Sequence, residues 1–314
     1  MVRGRSGAAV MVGLAGLALA ACTATGQASG RPVTHSGDAA HCPGTVVDVV
    51  VSVSQWSDLA RTLGGACANV TTVLASSTID PHDFEPRPGD IAAFEKADLV
   101  ILNGVGYDTW GAHAVGNLHP GPAVVTAADV AGLPAGQGAN PHLWYDPDLL
   151  PRMAQSITAE LTKLVPADAD TFTAQATVWN HDFQPYLDQL TTLRTAAAGR
   201  RYAATETVFD LLAHSVGLQD VTPAGYRSAV SNGSDPAPGD VAAFESALKG
   251  GRVDVLVFNT QTEGSLPDQL RAAAKDAGVP VVAVTESPPD VNGSFVAWQL
   301  AQLQELSTAL GKTP

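Results

Sequence analysis

Pro86-Arg87-Pro88-Gly89-Asp90-Ile91-Ala92-Ala93-Phe94-Glu95 recurs as Pro236-Ala237-Pro238-Gly239-Asp240-Val241-Ala242-Ala243-Phe244-Glu245, at an offset of 150 residues. Each copy places Pro at a helix start, where its missing N–H costs nothing, and Asp in the first turn, where a carboxylate complements the helix dipole. Each copy then leads through its helix to an apolar strand ending in Asn: Leu99 to Asn103 in the first, Val253 to Asn259 in the second. An echo of this length predicts two lobes of like βα architecture.

The flanking sequence extends both lobes. Val46 to Val53 is a β-branched run, the mark of a strand buried on both faces of a parallel sheet. A helical stretch, Gln55 to Leu63, stops at Gly64-Gly65, and a second strand follows at Asn69 to Leu74. The echo segment predicts a helix over Pro88 to Ala97 and the strand that follows it. The second half alternates likewise: strand Arg201 to Thr205, helix Val208 to Val216, the echo helix and its strand, helix Leu266 to Ala277, strand Val279 to Val284, and a last helix from Asn292 to Leu310. Between the halves, Asp148 to Val165 reads as one helix and Ala167 to about Ala198 as another, ~48 Å long. Pro185 is expected to kink that helix without ending it, because the apolar series Phe183, Leu187, Leu190 and Leu193 continues past it. The fold class is therefore α/β: two βα lobes with parallel sheets, residues 44–165 and 199–314, joined by a long rigid helix over 166–198.

The chain has 314 residues, of which 45% are hydrophobic and 15% charged, a globular composition long enough for two domains. Its 17 Lys and Arg against 31 Asp and Glu give a net charge of −14, which argues against a nucleic-acid partner, since phosphate binding needs a basic footprint. Arg3 and Arg5 precede a short apolar run, Ala8 to Ala18, and the segment closes on Leu19-Ala20-Ala21-Cys22. The run falls short of the ~20 residues that span a bilayer, so residues 1–22 read as an export signal. Leu19 to Cys22 resembles the bacterial lipobox, which implies that Cys22 carries a lipid holding the protein to the outer face of the bacterial cell membrane. Residues 23–43 read as a flexible tether. Cys42 and Cys67 remain as a pair in an oxidising compartment and are expected to form a disulfide, worth roughly 3.5 kcal/mol in the chain-entropy model for a loop of roughly 26 residues.

Four loops follow strands, the positions at which parallel α/β sheets bind ligands. Ile79-Asp80-Pro81-His82-Asp83-Phe84-Glu85-Pro86 and Asn140-Pro141-His142-Leu143-Trp144-Tyr145-Asp146-Pro147 each place a His directly after Pro. Tyr202 to Phe209 puts Glu206 at a strand-to-helix turn, and Ala283 to Pro289 puts Glu286 directly after a buried strand. Two imidazoles and two carboxylates complete a four-residue site for Mn²⁺, Fe²⁺ or Zn²⁺. Glu206, Asp210 and His214 also share a helical stripe, which reads as a solvated face, and His113, His119 and His181 read as surface residues. No phosphate loop, nucleophile elbow or His-Glu-x-x-His helix is present.

The two Pro-His loops, their order and the long helix between lobes resemble the metal-binding solute-binding lipoproteins of zinc and manganese ABC importers, the cluster A-I family. The resemblance covers the chain from about residue 46. It implies two lobes bridged by a rigid helix, with a metal in the cleft between them, held by His82, His142, Glu206 and Glu286. Glu206 stands where members carry His or Glu, and Glu286 where most carry Asp. The long His/Asp-rich loop of many zinc-specific members is missing. The implied protein is a monomeric, non-enzymatic receptor that binds Zn²⁺ or Mn²⁺ as transported ligand and delivers it to an ABC importer permease. Imidazoles ligate only as neutral bases, so capture is expected to weaken below ~pH 6.5. The alternative is a secreted zinc-dependent hydrolase using the same residues, with Glu286 as general base, since four convergent ligands leave no open position for a catalytic water.

Overall fold

The structure, a computed structural model, describes Met1 and residues 31–79, 84–134, 138–262 and 264–311. The export signal and Cys22 lie outside the described residues. A five-stranded sheet forms the first lobe, in the order β1 (Val33–His35), β3 (Ala68–Leu74), β2 (Val47–Val53), β4 (Leu99–Leu102), β5 (Ala123–Thr126). Its central strand β2 is the β-branched run. All its residues except Asp48 are buried, because parallel neighbours flank it and helices cover its faces. A four-stranded sheet forms the second lobe, in the order β7 (Gln219–Asp220), β6 (Arg201–Ala204), β8 (Val255–Asn259), β9 (Val281–Val284), with every pairing parallel. The α/β reading with two parallel-sheet lobes therefore holds.

Part of the segment expected to be a tether is held to the first sheet. Val33–His35 pairs antiparallel with β3, and Thr34 and Thr71 exchange a hydroxyl hydrogen bond across the pair at 2.8 Å. Gly37 and Asp38 are also tied down, by Asn69 Oδ1 and the Ala66 carbonyl. Thr- and Val-containing polar sequence beside an open sheet edge can satisfy its backbone there, which composition alone does not reveal.

The echo is structural as well as textual, with one difference. In the second lobe it forms a continuous helix, α9 (Pro238–Lys249). In the first it forms only one turn, α2 (Pro88–Ile91), followed by a 3₁₀ turn at Phe94–Lys96. The expected helix through Ala97 is cut short because Asp98 must already enter β4, whereas Lys249-Gly250-Gly251-Arg252-Val253 intervene before Asp254 in the second copy. At the sheet the copies converge again. Asp98 Oδ2 accepts from Asp48 N at 2.9 Å and Asp98 N donates to Asp48 O; Asp254 Oδ2 accepts from Arg201 N at 2.7 Å and Asp254 N donates to Arg201 O.

Among the remaining helices, α1 (Ser57–Gly64), α3 (Thr109–Gly116), α4 (Ala127–Ala131) and α5 (Leu149–Leu164) belong to the first lobe. α7 (Asp210–Ser215), α8 (Ala224–Ser231), α10 (Ser265–Asp276) and α11 (Phe295–Ala309) follow in the second. Between them runs α6 (Ala169–Ala197), 29 residues and so about 44 Å long, continuous through Pro185. Phe172, then Trp179, Phe183, Tyr186, Leu190, Leu193 and Ala197 at steps of three or four residues, form one buried stripe along it. Trp179, Phe183 and Tyr186 stack in series with ring centroids 4.7 and 4.8 Å apart. That stripe packs on α1 and α5 of the first lobe and on α11 of the second, so one helix braces both.

Cys42 and Cys67 are bridged, with Cα atoms 5.0 Å apart, as the cysteine count required. Their sulfurs and Asp168 are the one group of three candidate ligand atoms within 4.8 Å of one another among the described residues, but bridged sulfurs are not thiolates and cannot hold a cation. The double substitution of Cys42 and Cys67 by Ser is expected to lower the unfolding free energy in chemical denaturation by about 3–4 kcal/mol, with metal affinity unchanged because the bridge lies at the far end of the sheet strands.

Candidate metal centre

Two of the four residues singled out in the sequence, His142 and Glu286, meet at the gap between lobes, and Glu206 is near enough to feel the charge of both. His142 and Glu286 are buried, at 4% and 3% exposure, and Nε2 of the imidazole lies 3.3 Å from Glu286 Oε1. Adjacent donors in a tetrahedral zinc sphere stand about 3.4 Å apart for bonds of about 2.0–2.2 Å, so this separation fits two ligands of one ion. Glu206 is half-buried. Desolvation pushes its carboxyl above the ordinary range; the Glu286 charge pushes in the same direction, and the Asn259 amide and His142 oppose it. His82 lies outside the described residues. On either side of it, Ile79 and Phe84 pack against the core, and Ser77 O accepts from Gln261 Nε2.

Each side chain is aimed by neighbours that sequence reasoning did not assign. Asn140 Oδ1 accepts from His142 N at 3.0 Å and lies 2.7 Å from His142 Nδ1, while Asn140 Nδ2 donates to the Thr207 carbonyl at 2.7 Å. A carbonyl partner fixes the amide orientation, so Oδ1 must face the imidazole and Nδ1 carries the hydrogen. Nε2 is thereby left as the lone-pair nitrogen. The ring is clamped edge-on by Trp144 and Tyr107, centroids 5.4 and 6.2 Å away.

The two Asn residues that end the echoed strands have matching tasks. Asn103 donates to Pro141 O at 2.8 Å, holding the loop just before His142, and accepts from Trp56 Nε1. Asn259 donates to Glu206 Oε2 at 2.6 Å. Their occurrence at the same place in both repeats was the available signal.

Glu286 is held from the first lobe. Tyr107 donates its hydroxyl to Glu286 Oε1 at 2.9 Å, and Gln55 Nε2 donates to Tyr107 Oη and to the Glu286 carbonyl at 3.1 and 3.0 Å. Tyr107 reaches this position through Gly104-Val105-Gly106, three successive left-handed residues with φ of 82, 54 and 80°. At Gly104 a Cβ would also come within 2.7 Å of Ala128 Cβ, so only glycine fits. Asp108 locks the turn by accepting from Asn103 N, Gly104 N and Ser52 Oγ, although burial drives its carboxyl upward.

The Glu206, Asp210, His214 stripe is solvated only in part: His214 is exposed and Glu206 half-buried, but Asp210 is not. Asp210 is buried, accepts from Tyr202 Oη at 2.8 Å and pairs with Arg227 Nη2 at 2.7 Å; Arg227 also pairs with Asp220. His113, His119 and His181 are exposed, as expected. Beside the centre opens a crevice of about 650 Å³, lined from one lobe by Tyr107, Asn140 and Pro141 and from the other by Thr207, Asp210 and Arg227.

The sequence profile described as ZnuA, zinc-uptake complex component A periplasmic, matches residues 49–309. The chain belongs to this family. Among its ZnuA-like relatives is the high-affinity zinc uptake system protein ZnuA of Bacillus subtilis (strain 168), 27% identical over 217 residues, covering 63% of this chain and 66% of that one. The manganese-binding lipoprotein MntA of Halalkalibacterium halodurans is 28% identical over 156 residues, covering 48% of this chain and 52% of that one. The matches to these two relatives thus span less than two thirds of the relatives' own length. The fold matches that of the Pseudomonas aeruginosa solute-binding protein FpvC, solved with Ni²⁺, with TM-score 0.69 and 24% identity over 85% of this chain and 97% of that one.

The elevated Glu206 carboxyl carries a testable sign. Its folded value lies above its unfolded one, so its contribution to metal-free stability is full below the ordinary Glu value of ~4.3 and is lost as pH rises through the folded value. Glu206→Gln is therefore expected to melt higher than the parent at pH 7 without metal, with the difference vanishing near pH 4. Added Zn²⁺ should invert the order, which differential scanning calorimetry reads directly.

Proposed function

We propose that the protein is an extracytoplasmic receptor that captures Zn²⁺ or Mn²⁺ between its lobes and delivers it to an ABC importer permease. The observation that carries this reading is the buried approach of His142 Nε2 to Glu286 Oε1 at 3.3 Å, with Glu206 in the same electrostatic neighbourhood. A buried carboxylate with a second, half-buried one nearby is costly by itself and is relieved by a divalent cation. His82 supplies the fourth ligand. The working units are the lobes 44–165 and 199–314, joined by the helix over 166–198. The protein acts as a monomer, anchored by a lipid on Cys22, in keeping with the lipoprotein name of the MntA relative.

The ligands come from both lobes, so the cation closes the cleft across them. Asn140 and Asn259 hold His142 and Glu206 in their liganding orientations, and the crevice offers the cation a polar approach. Two carboxylates permit four or more contacts, so the donor set suits both Zn²⁺ and Mn²⁺, and Zn²⁺ ranks higher in intrinsic affinity. The family and its relatives lend no support to a hydrolase.

Calorimetric titration should show one Zn²⁺ or Mn²⁺ bound per chain, with binding lost in His142→Ala; no stoichiometric binding, or binding indifferent to that change, would overturn the proposal. Asn140→Ala, which frees the imidazole to rotate and change tautomer, is expected to weaken binding about 10–100-fold while the fold persists by circular dichroism.

A further inference from the structure

We infer that Tyr107 is a specificity-determining residue: its hydroxyl holds Glu286 in a single-oxygen binding mode and so biases the centre toward four-coordinate Zn²⁺ over Mn²⁺. This rests on the receptor reading above and deepens it. The oxygen to which Tyr107 donates, Oε1, is the same oxygen that faces His142 Nε2, at 2.9 and 3.3 Å respectively. The Glu286 oxygen that adjoins the imidazole therefore already has a fixed direction.

Tyr107 is an unusually rigid donor. It is 5% exposed, and its ring lies against Trp144 with centroids 5.1 Å apart. Gln55 Nε2 donates to the phenol oxygen at 3.1 Å, so the phenol's own hydrogen is left to point at Glu286. The same Gln55 amide holds the Glu286 backbone carbonyl, which fixes the carboxylate at its base as well as its tip. Behind Tyr107, the left-handed turn at 104–106 and the three donors to Asp108 prevent the ring from following a moving carboxylate.

A carboxylate that passes from one metal contact to two must turn and shift so that both oxygens face the ion. Here that movement stretches a buried hydrogen bond whose donor cannot follow. Manganese, which favours higher coordination with oxygen donors, loses more from that restraint than zinc, for which four donors suffice. The arrangement thus favours zinc by limiting coordination number, with the ligand set itself unchanged.

The test compares the parent with Tyr107→Phe, which keeps the ring and removes the hydroxyl, and with Gln55→Leu, which removes the donor that orients it. Competitive titrations give the ratio of Zn²⁺ to Mn²⁺ affinity, X-ray absorption the coordination number of bound zinc, and electron paramagnetic resonance the symmetry of bound manganese. The Zn²⁺/Mn²⁺ affinity ratio is expected to fall about tenfold in Tyr107→Phe, and in the same direction in Gln55→Leu, with the zinc coordination number rising. Equal weakening of both metals, or an unchanged ratio and spectrum, would overturn the specificity role while leaving the receptor intact. A parent protein that takes up neither metal would instead overturn the receptor reading. Metal-free melting temperatures close to the parent's establish that the variants are folded, and either variant alone decides the question if the other is not.

Discussion

The lobes meet on a short strap, Thr285-Glu286-Ser287, that is hydrogen-bonded from both sides. From the first lobe, Gln55 donates to the Glu286 carbonyl, Tyr107 to its carboxylate, and the Tyr145 hydroxyl lies 2.7 Å from Thr285 O. From the second, Gln302 Oε1 accepts from Thr285 N, Trp298 Nε1 donates to Thr285 Oγ1, and Gln261 Oε1 accepts from Ser287 N. With Glu286 and Ser287 buried, their backbone groups must find protein partners, and that requirement fixes the two sheets relative to each other. The position of Glu286 follows from it. So does the reach of Tyr107 and His142, both of which approach the same carboxylate oxygen.

Each lobe solves the same local problem with the same residues. An Asp at the start of the echoed strand bridges to a residue at the start of its neighbour, and an Asn at its end orients a loop or side chain of the centre. Repetition of a βα unit brings both strand ends to one gap, because parallel strands present their carboxyl ends on the same side. The copies differ where their surroundings differ: the shorter first copy cannot complete its helix, and its lobe recruits the left-handed turn and Asp108 to deliver Tyr107.

The fold was legible because its signals are local. A β-branched run, a ten-residue echo and an apolar stripe every three or four residues specify a buried strand, a repeat and a bracing helix without reference to anything distant. The loops bearing Glu206 and Glu286 were legible for a related reason, since residues after strands in a parallel sheet must face one edge; the loop of His142 follows α4 instead of a strand, and Asn103 holds it through the Pro141 carbonyl. What the sequence hid depends on pairings across 67 to 231 positions: Gln55 with Glu286, Tyr107 with Glu286, Asn140 with Thr207. Nothing near Tyr107 in the chain marks it as a partner of a carboxylate 179 residues away. Asp210 was misread for the same reason. Its helical spacing resembles that of a surface stripe, and only the approach of Tyr202 and Arg227 shows that the carboxylate is buried and paired.

The inter-lobe bonds also bear on how such a centre can open. Gln55 to Glu286, Asn140 to Thr207, Gln261 to Ser77, and the α1 residues Asp58 and Arg61 to the start of α11 all cross between lobes without using a candidate ligand atom of the centre, apart from the backbone of Glu286. Asp58 Oδ2 accepts from Phe295 N at 2.7 Å, a carboxylate at a helix N-terminus, and Arg61 donates to Gly293 O at 3.1 Å. A ligand shifts a conformational equilibrium only by its differential affinity for the two states. Loss of a cation would unbalance Glu206 and Glu286 but would leave these crossings and the α6 stripe intact. Separation of the lobes therefore requires contacts made outside the centre that compete with them, and a partner that docks across both lobes is placed to supply such contacts.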